Sequence, residues 1–227
     1  NRVQMSTEAS GTPELSLVDR VYRALRAGIV DGTYGPDTPL RLDALAKTNN
    51  VSRIPVREAL RLLEKERLVV ATPNKGARVA PISSASANDL YRMRKLVEAE
   101  ALYQGASNLS EAAIAELRNL ILPMAKLFDS GDEPGFLALH RRFHFEIYKQ
   151  SGSDWLMHTI ETMWEHADRY FHLSIICQSS SSLILEKHYG ILDRISAGDL
   201  KGAVSELMHE LDHGIDRIQA AIKLGLP

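Results

Sequence analysis

One short stretch decides the fold of the N-terminal part of the chain, and it reads VSRIPVREALRLL from Val51 to Leu63. Ser52 can cap the N-terminus of a helix, and Pro55 falls in the first turn, where its missing N–H removes no intrahelical hydrogen bond. The apolar residues that follow recur at helical spacing and predict one buried face: Val56, Ala59, Leu60 and Leu63. The stretch therefore predicts an amphipathic helix packed on a core.

Three arginines lie on the outer side of this predicted helix. Arg53, Arg57 and Arg61 follow each other at i, i+4 and i+8, about 110° around the helix from the apolar stripe. A planar guanidinium can bind guanine edges or phosphates through two hydrogen bonds at once. We therefore expect Arg53 and Arg57, near the helix N-terminus, to contact bases and Arg61 to contact phosphate. Taken alone, three such arginines could equally form a solvated basic face.

The segments on either side of the basic helix favour the DNA-binding alternative. A helix is predicted from Leu17 to a stop at Gly32, and a shorter one over residues 42–47. Residues 69–71 and 77–79 are strand-like and predict a β-hairpin. This order of elements is that of a winged helix–turn–helix, in which the basic helix is the recognition helix.

The predicted hairpin and the helix cap add three candidate DNA contacts. Lys75 and Gly76 lie at the hairpin tip, where glycine lets the backbone approach a groove and lysine supplies positive charge. Ser52 and the first backbone N–H groups of the basic helix can hold a phosphate oxygen.

The composition is that of an ordinary globular protein, but the charge is divided along the chain. Among 227 residues, 44% are hydrophobic and 25% are charged. Up to Ile82 there are 13 Lys and Arg against 9 Asp and Glu, and beyond it 14 against 20. The single Cys177 excludes an internal disulfide framework, and no stretch is long enough to span a membrane. We expect a cytoplasmic protein with an anionic partner for its first part and no membrane partner.

The sequence pattern divides the chain into four parts. We predict a disordered tail over residues 1–12, a winged helix–turn–helix DNA-binding domain over 13–82, a linker over 83–86, and an all-α domain over 87–227. The last part contains all eight histidines and predicts helices only: 87–107, 111–129, 134–150, 154–177, 182–197 and 200–224. The predicted fold class is mostly α, with a small β-hairpin wing and a C-terminal antiparallel helical bundle.

The N-terminal part resembles the GntR family of transcriptional regulators. The resemblance is carried by the stretch quoted above and by Leu68-Val69 and Pro73-Asn74-Lys75-Gly76-Ala77 in the wing. It implies a homodimer, usually a repressor, in which each winged helix–turn–helix reads half of a palindromic double-stranded DNA operator. Ile54 stands at a DNA-facing position where the family usually has Thr, so the hydroxyl available for a phosphate contact there is missing.

Three histidines point into the predicted bundle. His140 and His144 share the apolar face of one helix, and His188 lies on the inward stripe of a later one. Buried imidazoles are costly without partners, and either a divalent metal or hydrogen bonds in a polar core would supply them. On the last helix, Glu210 lies at the edge of the apolar stripe beside small residues, so it has room to reach inward.

The helical part resembles the FCD ligand-binding domain of the FadR-type branch of the family. The matching residues are Phe143-His144, Ser151-Gly152, Lys187-His188 with Ile191-Leu192, and Gly198-Asp199. That domain commonly holds a divalent metal with one Asp and three His, and by position these become His140, His144, His188 and Glu210. This chain has His in the Asp position and Glu in the last His position, yet three nitrogens and one carboxylate remain, which suits Zn²⁺, Ni²⁺ or Mn²⁺. Six helices would place the chain in the VanR-like subgroup.

Arg94 matches a position that often faces the effector cavity in this branch. A buried guanidinium near a metal would bind a carboxylate through two hydrogen bonds, so the resemblance implies a small carboxylate effector. A salt bridge to Glu98 at i+4 is the alternative role. Two other functions remain open: a purely structural metal, and a metal-dependent hydrolase that uses the His/Glu cluster. The hydrolase would lack a general base and would leave the basic helix unexplained.

Overall fold

A computed structural model describes residues 15–72, 76–177 and 180–225, and the chain divides into two compact units between Pro81 and Ile82. The tail predicted over residues 1–12 and the wing residue Lys75 lie outside the described residues. Within the described part of the chain, no helix is long and apolar enough to cross a membrane.

The first unit is a winged helix–turn–helix with three strands. Its elements are α1 (Leu17–Val30), β1 (Pro39–Leu40), α2 (Leu42–Thr48), α3 (Arg53–Lys65), β2 (Val69–Thr72) and β3 (Gly76–Val79). The strands form an antiparallel sheet in the order β1-β3-β2. The apolar stripe of α3 is fully buried at Val56, Ala59 and Leu63, and α3 packs against α1 and α2. The helix predicted from residues 51–63 is therefore confirmed.

Three turns of this unit contain a non-glycine residue with a positive φ. Asn50, in the turn between α2 and α3, has a φ of 52°, Asp37, before β1, has a φ of 62°, and Arg67, between α3 and β2, has a φ of 55°. Asn and Asp are the non-glycine residues that adopt this conformation most readily. The sequence analysis did not predict β1, because its two residues carry no alternating pattern and form a strand only by pairing with Arg78 and Ala77 of β3.

The second unit contains six helices among its described residues, with no strand. They are α4 (Ser84–Ala106), α5 (Glu111–Asp129), α6 (Glu133–Lys149), α7 (Asp154–Ile176), α8 (Ser182–Ser196) and α9 (Leu200–Leu224). Helix α9 packs against α4, α7 and α8, and one apolar core joins all of these helices. The predicted all-α bundle is confirmed.

Helix α4 begins earlier than the sequence analysis predicted. The side chain of Ser83 accepts a hydrogen bond from the backbone N–H of Ser86, so Ser83 is the N-cap and the helix starts at Ser84. Residues 84–86, assigned above to the linker, are helical. Further along α4, Gly105 lies against α6, where a Cβ atom would stand 2.1 Å from the carbonyl oxygen of Ile147. This contact fixes how closely α4 approaches the helix that carries His140 and His144.

Candidate metal centre and nucleic-acid interface

Helix α3 presents the predicted DNA contacts on one exposed side of the first unit. Arg53, Arg57 and Arg61 are all exposed, and so is Ile54, at 71% of its surface. Ser52 has an extended backbone directly before the helix, but its side chain makes no capping hydrogen bond. Its predicted role as a side-chain cap is therefore not seen, and its hydroxyl stands beside the arginines.

Two of these arginines form ion pairs on the protein surface. Arg53 pairs with Asp43 of α2, and an Arg61 Nη atom lies 2.8 Å from a carboxylate oxygen of Glu58. Exposed ion pairs are worth only about 0–1 kcal/mol, so a phosphate or a base edge can replace the carboxylate at little cost. The pairs hold both guanidinium groups on the surface of the unit without blocking them.

The wing contributes Gly76 at the start of β3. Its φ is 80°, and a Cβ atom built there would meet no other atom within 4 Å. The backbone conformation, rather than crowding, is thus the reason for glycine at this position.

In the second unit, four side chains from three helices meet around one carboxylate oxygen. His140 and His144 of α6 place their Nε2 atoms 2.9 and 3.1 Å from Oε1 of Glu210 on α9, and Nε2 of His188 on α8 lies 3.9 Å from the same oxygen. The candidate ligand atoms of the four residues all lie within 4.8 Å of one another. The three histidines are buried and Glu210 is nearly so. The structure thus brings together the whole set that the sequence analysis named.

The hydrogen bonding of this cluster leaves acceptor atoms that a cation would satisfy. Nδ1 of His188 lies 2.7 Å from the carbonyl oxygen of Ile184, which can only accept, so Nδ1 carries the proton and Nε2 of the neutral ring carries a lone pair. Among the described residues, neither this Nε2 nor Oε2 of Glu210 has a hydrogen-bond partner, although both are buried. Such groups are costly when unpaired, and nitrogen and carboxylate ligands suit a divalent transition metal. The residues present therefore fit a metal.

The charge states of the cluster favour metal binding. Burial lowers the pKa of His140 and of His188, so both rings are neutral near pH 7. Burial opposes ionisation of Glu210, but the neighbouring His144 and His188, with hydrogen bonds from His140 and His144, hold its pKa well below the usual range. Neutral imidazoles and an ionised carboxylate are the forms that bind metal.

A buried hydrogen-bonded chain joins the cluster to Arg94. Nε of Arg94 donates to Oε1 of Glu98 at 2.7 Å, and the hydroxyl of Tyr148 donates to Oε2 of Glu98 at 2.9 Å. The same hydroxyl lies 3.4 Å from Nδ1 of His144. The alternative role considered for Arg94, a salt bridge to Glu98, is thus observed. Nη1 of Arg94 is nevertheless buried without a hydrogen-bond partner in the described structure.

The cluster forms part of the wall of two cavities. The first, which we call the inner cavity, has a volume of about 50 Å³ and is lined by Arg94, His140, Glu210 and Arg217, together with apolar residues. The second, the outer cavity, has a volume of about 40 Å³ and is lined by His140, His188, Glu210, Lys187 and Arg217. Both cavities therefore place charged side chains beside the cluster.

Two residues of this site were not identified by the sequence analysis. Tyr148 lies at i+4 from His144 and i+8 from His140, so it belongs to the same face of α6. Arg217 lies at i+7 from Glu210, on the same face of α9. Helical spacing, applied outward from the proposed ligands, would have identified both.

A winged helix–turn–helix with an exposed basic helix, joined to a helical unit with a buried ligand cluster, defines a DNA-binding transcriptional regulator. Residues 17–79 match the description "Bacterial regulatory proteins, gntR family" and residues 89–213 match the FCD domain. The chain belongs to the GntR family, in the branch that carries an FCD domain. Members of this family are transcriptional regulators and not enzymes, and nothing supports the hydrolase alternative.

The chain is similar to two curated repressors of Escherichia coli. It is 30% identical to the HTH-type transcriptional repressor GlaR over 83% of this chain and 89% of that protein. It is 25% identical to the repressor RspR over 95% of this chain and 96% of that protein. A solved structure of a GntR regulator from Rhodococcus sp. RHA1 has a TM-score of 0.71 and 25% identity, covering 91% of this chain and 99% of that one.

Proposed function

We propose that this regulator is a homodimeric repressor whose operator binding responds to a small organic acid, bound beside a divalent metal on His140, His144, His188 and Glu210. The observation that carries the proposal is the convergence of these four buried side chains, two of which keep an unpartnered acceptor atom. The two E. coli relatives named as repressors support the sign of regulation.

The metal would be Zn²⁺, Ni²⁺ or Mn²⁺, and when bound it would supply a Lewis acid for a ligand carboxylate. The chain's own groups define the rest of the site. The carbonyl oxygen of Ile184 lies 2.7 Å from Nδ1 of His188, and the hydroxyl of Tyr148 lies 3.4 Å from Nδ1 of His144. Carbonyl and hydroxyl groups in these places commonly orient metal-bound imidazoles. Arg94 can donate from its unpartnered Nη1 to the carboxylate of the effector.

The DNA-binding surface of the proposal is α3 with the wing. Arg53 and Arg57 would read base edges in the major groove, while Ser52 and Arg61 would hold phosphates. Ile54 is apolar and exposed, so it would contact an apolar group such as a thymine methyl rather than a phosphate. Lys75 and Gly76 would contact the adjacent groove through the wing.

The effector changes operator binding only if it binds the DNA-competent and DNA-incompetent forms of the dimer unequally. A metal that never contacts an effector, with a purely structural role, would stabilise the second unit but leave operator affinity independent of added acids.

We propose residues 13–82 as the DNA-binding domain and 87–227 as the domain for effector, metal and dimer contacts. Six described helices in the latter agree with the VanR-like subgroup.

Metal content measured by mass spectrometry of the purified full chain tests the proposal. We expect about one divalent ion per chain, and its loss in the double variant His144→Ala/His188→Ala. His209→Ala is the matched control, because His209 lies on the exposed side of α9, next to Glu210 in sequence. Full metal retention by the double variant would reject the ligand assignment.

Operator binding supplies the second test. A duplex selected in vitro from a random pool serves as the operator, and its affinity is measured with and without small carboxylic acids. We expect at least one acid to release the operator from the metal-loaded protein, and none to do so from the double variant. If no acid has any effect on the loaded protein, the structural-metal role is the correct one.

A further inference from the structure

The inner cavity is lined by two guanidinium groups that belong to different helices. Arg94 comes from α4 and Arg217 from α9. Nη1 of Arg94 has no hydrogen-bond partner within the described residues. Arg217 donates from Nε to the hydroxyl of the buried Ser174 at 3.0 Å, and the described structure provides no carboxylate partner for it.

Opposing negative charge in the inner cavity is scarce. Of the described residues that line it, Glu210 alone carries a carboxylate, and Glu98, behind Arg94, supplies a second. The two guanidinium groups balance these two carboxylates, so a bound divalent ion leaves two positive charges uncompensated. A buried charge without a counter-charge is costly, and a ligand with two negative groups would remove that cost more fully than a ligand with one.

Other charged groups nearby belong to different walls. Lys187 lines the outer cavity and lies 3.6 Å from a carboxylate oxygen of Glu186. Asp216 is exposed and lines neither the inner nor the outer cavity, and His213 lines only the outer one. None of these three groups stands in the wall of the inner cavity, although the charge of Asp216 acts on Arg217 from outside it.

The remaining wall of the inner cavity is largely apolar. Tyr91, Phe136, Phe171 and Leu211 contribute rings and an aliphatic side chain. A hydrocarbon segment would pack on these surfaces. The cavity thus combines anion-binding groups with an apolar surface.

Resting on the function proposed above, we propose that the effector is a small dicarboxylate. One carboxylate would lie beside the metal cluster and Arg94, and the second would be held by Arg217. The methylene groups between them would contact Phe136 and Phe171. Arg217 is thereby assigned as a residue that selects dicarboxylates over monocarboxylates.

Calorimetric titration of the metal-loaded full chain tests this specificity. Malonate, succinate and glutarate are each compared with the monocarboxylate of equal carbon number: propionate, butyrate and valerate. We expect at least one dicarboxylate to bind about tenfold or more tightly than its partner, the gain typical of one additional charge-assisted hydrogen-bonded contact.

The variant Arg217→Gln tests the residue itself. It should weaken the preferred dicarboxylate about tenfold and change the matched monocarboxylate less than about twofold. Arg118→Gln is the control, because Arg118 pairs with Asp193 on the surface and lines neither cavity, so it should change neither affinity. Circular dichroism verifies folding, and if Arg217→Gln does not fold, Arg217→Lys replaces it and should keep the preference through its charge.

The outcomes separate this inference from the function on which it rests. Equal affinities within every pair of acids, or an equal loss of both acids in Arg217→Gln, would overturn the dicarboxylate assignment while leaving metal and acid binding intact. A chain that takes up no metal and binds neither class of acid would overturn the proposed function and this inference together.

Discussion

Arg57 lies between Arg53 and Arg61 on the exposed side of α3, and its loss tests the recognition helix. We expect Arg57→Ala to weaken operator binding by about 1–3 kcal/mol and to relax the base preference at one position of each half-site. Fluorescence anisotropy with the selected duplex and its single-base variants provides the measurement. Unchanged affinity would show that α3 does not read the operator through this residue.

Arg61 should behave differently, because it is expected to contact phosphate. Arg61→Ala should weaken all duplexes to a similar extent and reduce the slope of log affinity against log salt by about one. Arg118→Ala, in the second unit, serves as the control for both arginine variants. A base-specific effect of Arg61→Ala would contradict the assigned division between base and phosphate contacts.

The hydroxyl of Tyr148 connects the His/Glu cluster to Glu98 and, through Glu98, to Arg94. Tyr148→Phe removes the donor to Glu98 and the group beside Nδ1 of His144, while it keeps the ring in the core. We expect a loss of about 1–3 kcal/mol in unfolding free energy, since a buried carboxylate loses a partner, and a 10- to 100-fold weaker metal affinity by the order of magnitude usual for such supporting contacts. Urea unfolding and competitive metal titration measure the two effects.

The half-exposed Tyr103, on the same helix as Arg94, provides the matched control for this variant. Tyr103→Phe should leave both quantities unchanged. If Tyr148→Phe binds the metal as tightly as the unmodified chain does, the hydroxyl does not position His144.

At the residue scale, helical spacing predicted which side chains enter the site, but it did not predict how they are hydrogen-bonded. His140, His144 and His188 follow from the phase of α6 and α8, because a side chain on the apolar stripe of a helix must enter the bundle. The double role of Arg94, bonded to Glu98 yet with Nη1 unpartnered, could not be predicted, because it depends on the distance between α4 and the surrounding rings. Helical spacing places Arg217 on the face of Glu210, but its position in the wall of the inner cavity depends on how α9 packs against α4 and α7.

At the scale of elements, long helices were predictable and contacts between elements were not. The six helices of the second unit carry caps and apolar stripes, and their observed ends agree with the predicted ranges to within about three residues. The strand β1 has no such local signal, since it exists only by pairing with β3. The early start of α4 reflects a choice between Ser83 and Ser86 as N-cap, two serines that offer the same local chemistry.

The contact of α4 with α6 at Gly105 provides a test at this scale. A Cβ atom there would clash with the backbone carbonyl of Ile147, so Gly105→Ala must separate the two helices. We expect a loss of about 1–3 kcal/mol in unfolding free energy and weaker metal binding, because α6 carries two of the proposed ligands. Urea unfolding, monitored by tryptophan fluorescence, provides the measurement.

Gly190→Ala on α8 is the matched control for this helix contact. The nearest atom to its Cβ is the end of the flexible Glu206 side chain at 3.4 Å, so the substitution should be neutral or should stabilise by up to about 1 kcal/mol through helix propensity. Equal effects of the two substitutions would contradict the close approach of α4 and α6.

At the scale of the whole molecule, the two units have separate apolar cores, and within the described residues the His/Glu cluster lies in the second unit. Both tryptophans, Trp155 and Trp164, lie in the second unit, so their fluorescence reports its unfolding alone. Removing the metal with a chelator should lower the thermal midpoint seen by fluorescence. Adding metal back at a hundredfold excess over its Kd should restore about 2.7 kcal/mol.

Circular dichroism of the same samples supplies the comparison, since the helices of the first unit contribute to it as well. The part of the dichroism transition that fluorescence does not report should stay at the same temperature with and without metal. A midpoint that is independent of the chelator in both signals would contradict a metal bound to the folded second unit.

The sharing of one Glu210 oxygen by His140 and His144 has a consequence for how this centre can evolve. The pattern that the FCD resemblance implies has an Asp at the position of His140 and a His at the position of Glu210, two positions 70 residues apart. A single replacement at either one would give four imidazoles or two carboxylates around the ion, and each changes the charge of the centre. Only the exchange of both residues keeps the charge of the centre constant, so the two positions should covary across the lineage. Proteins with only one of the two exchanges should be rare or should bind a different metal.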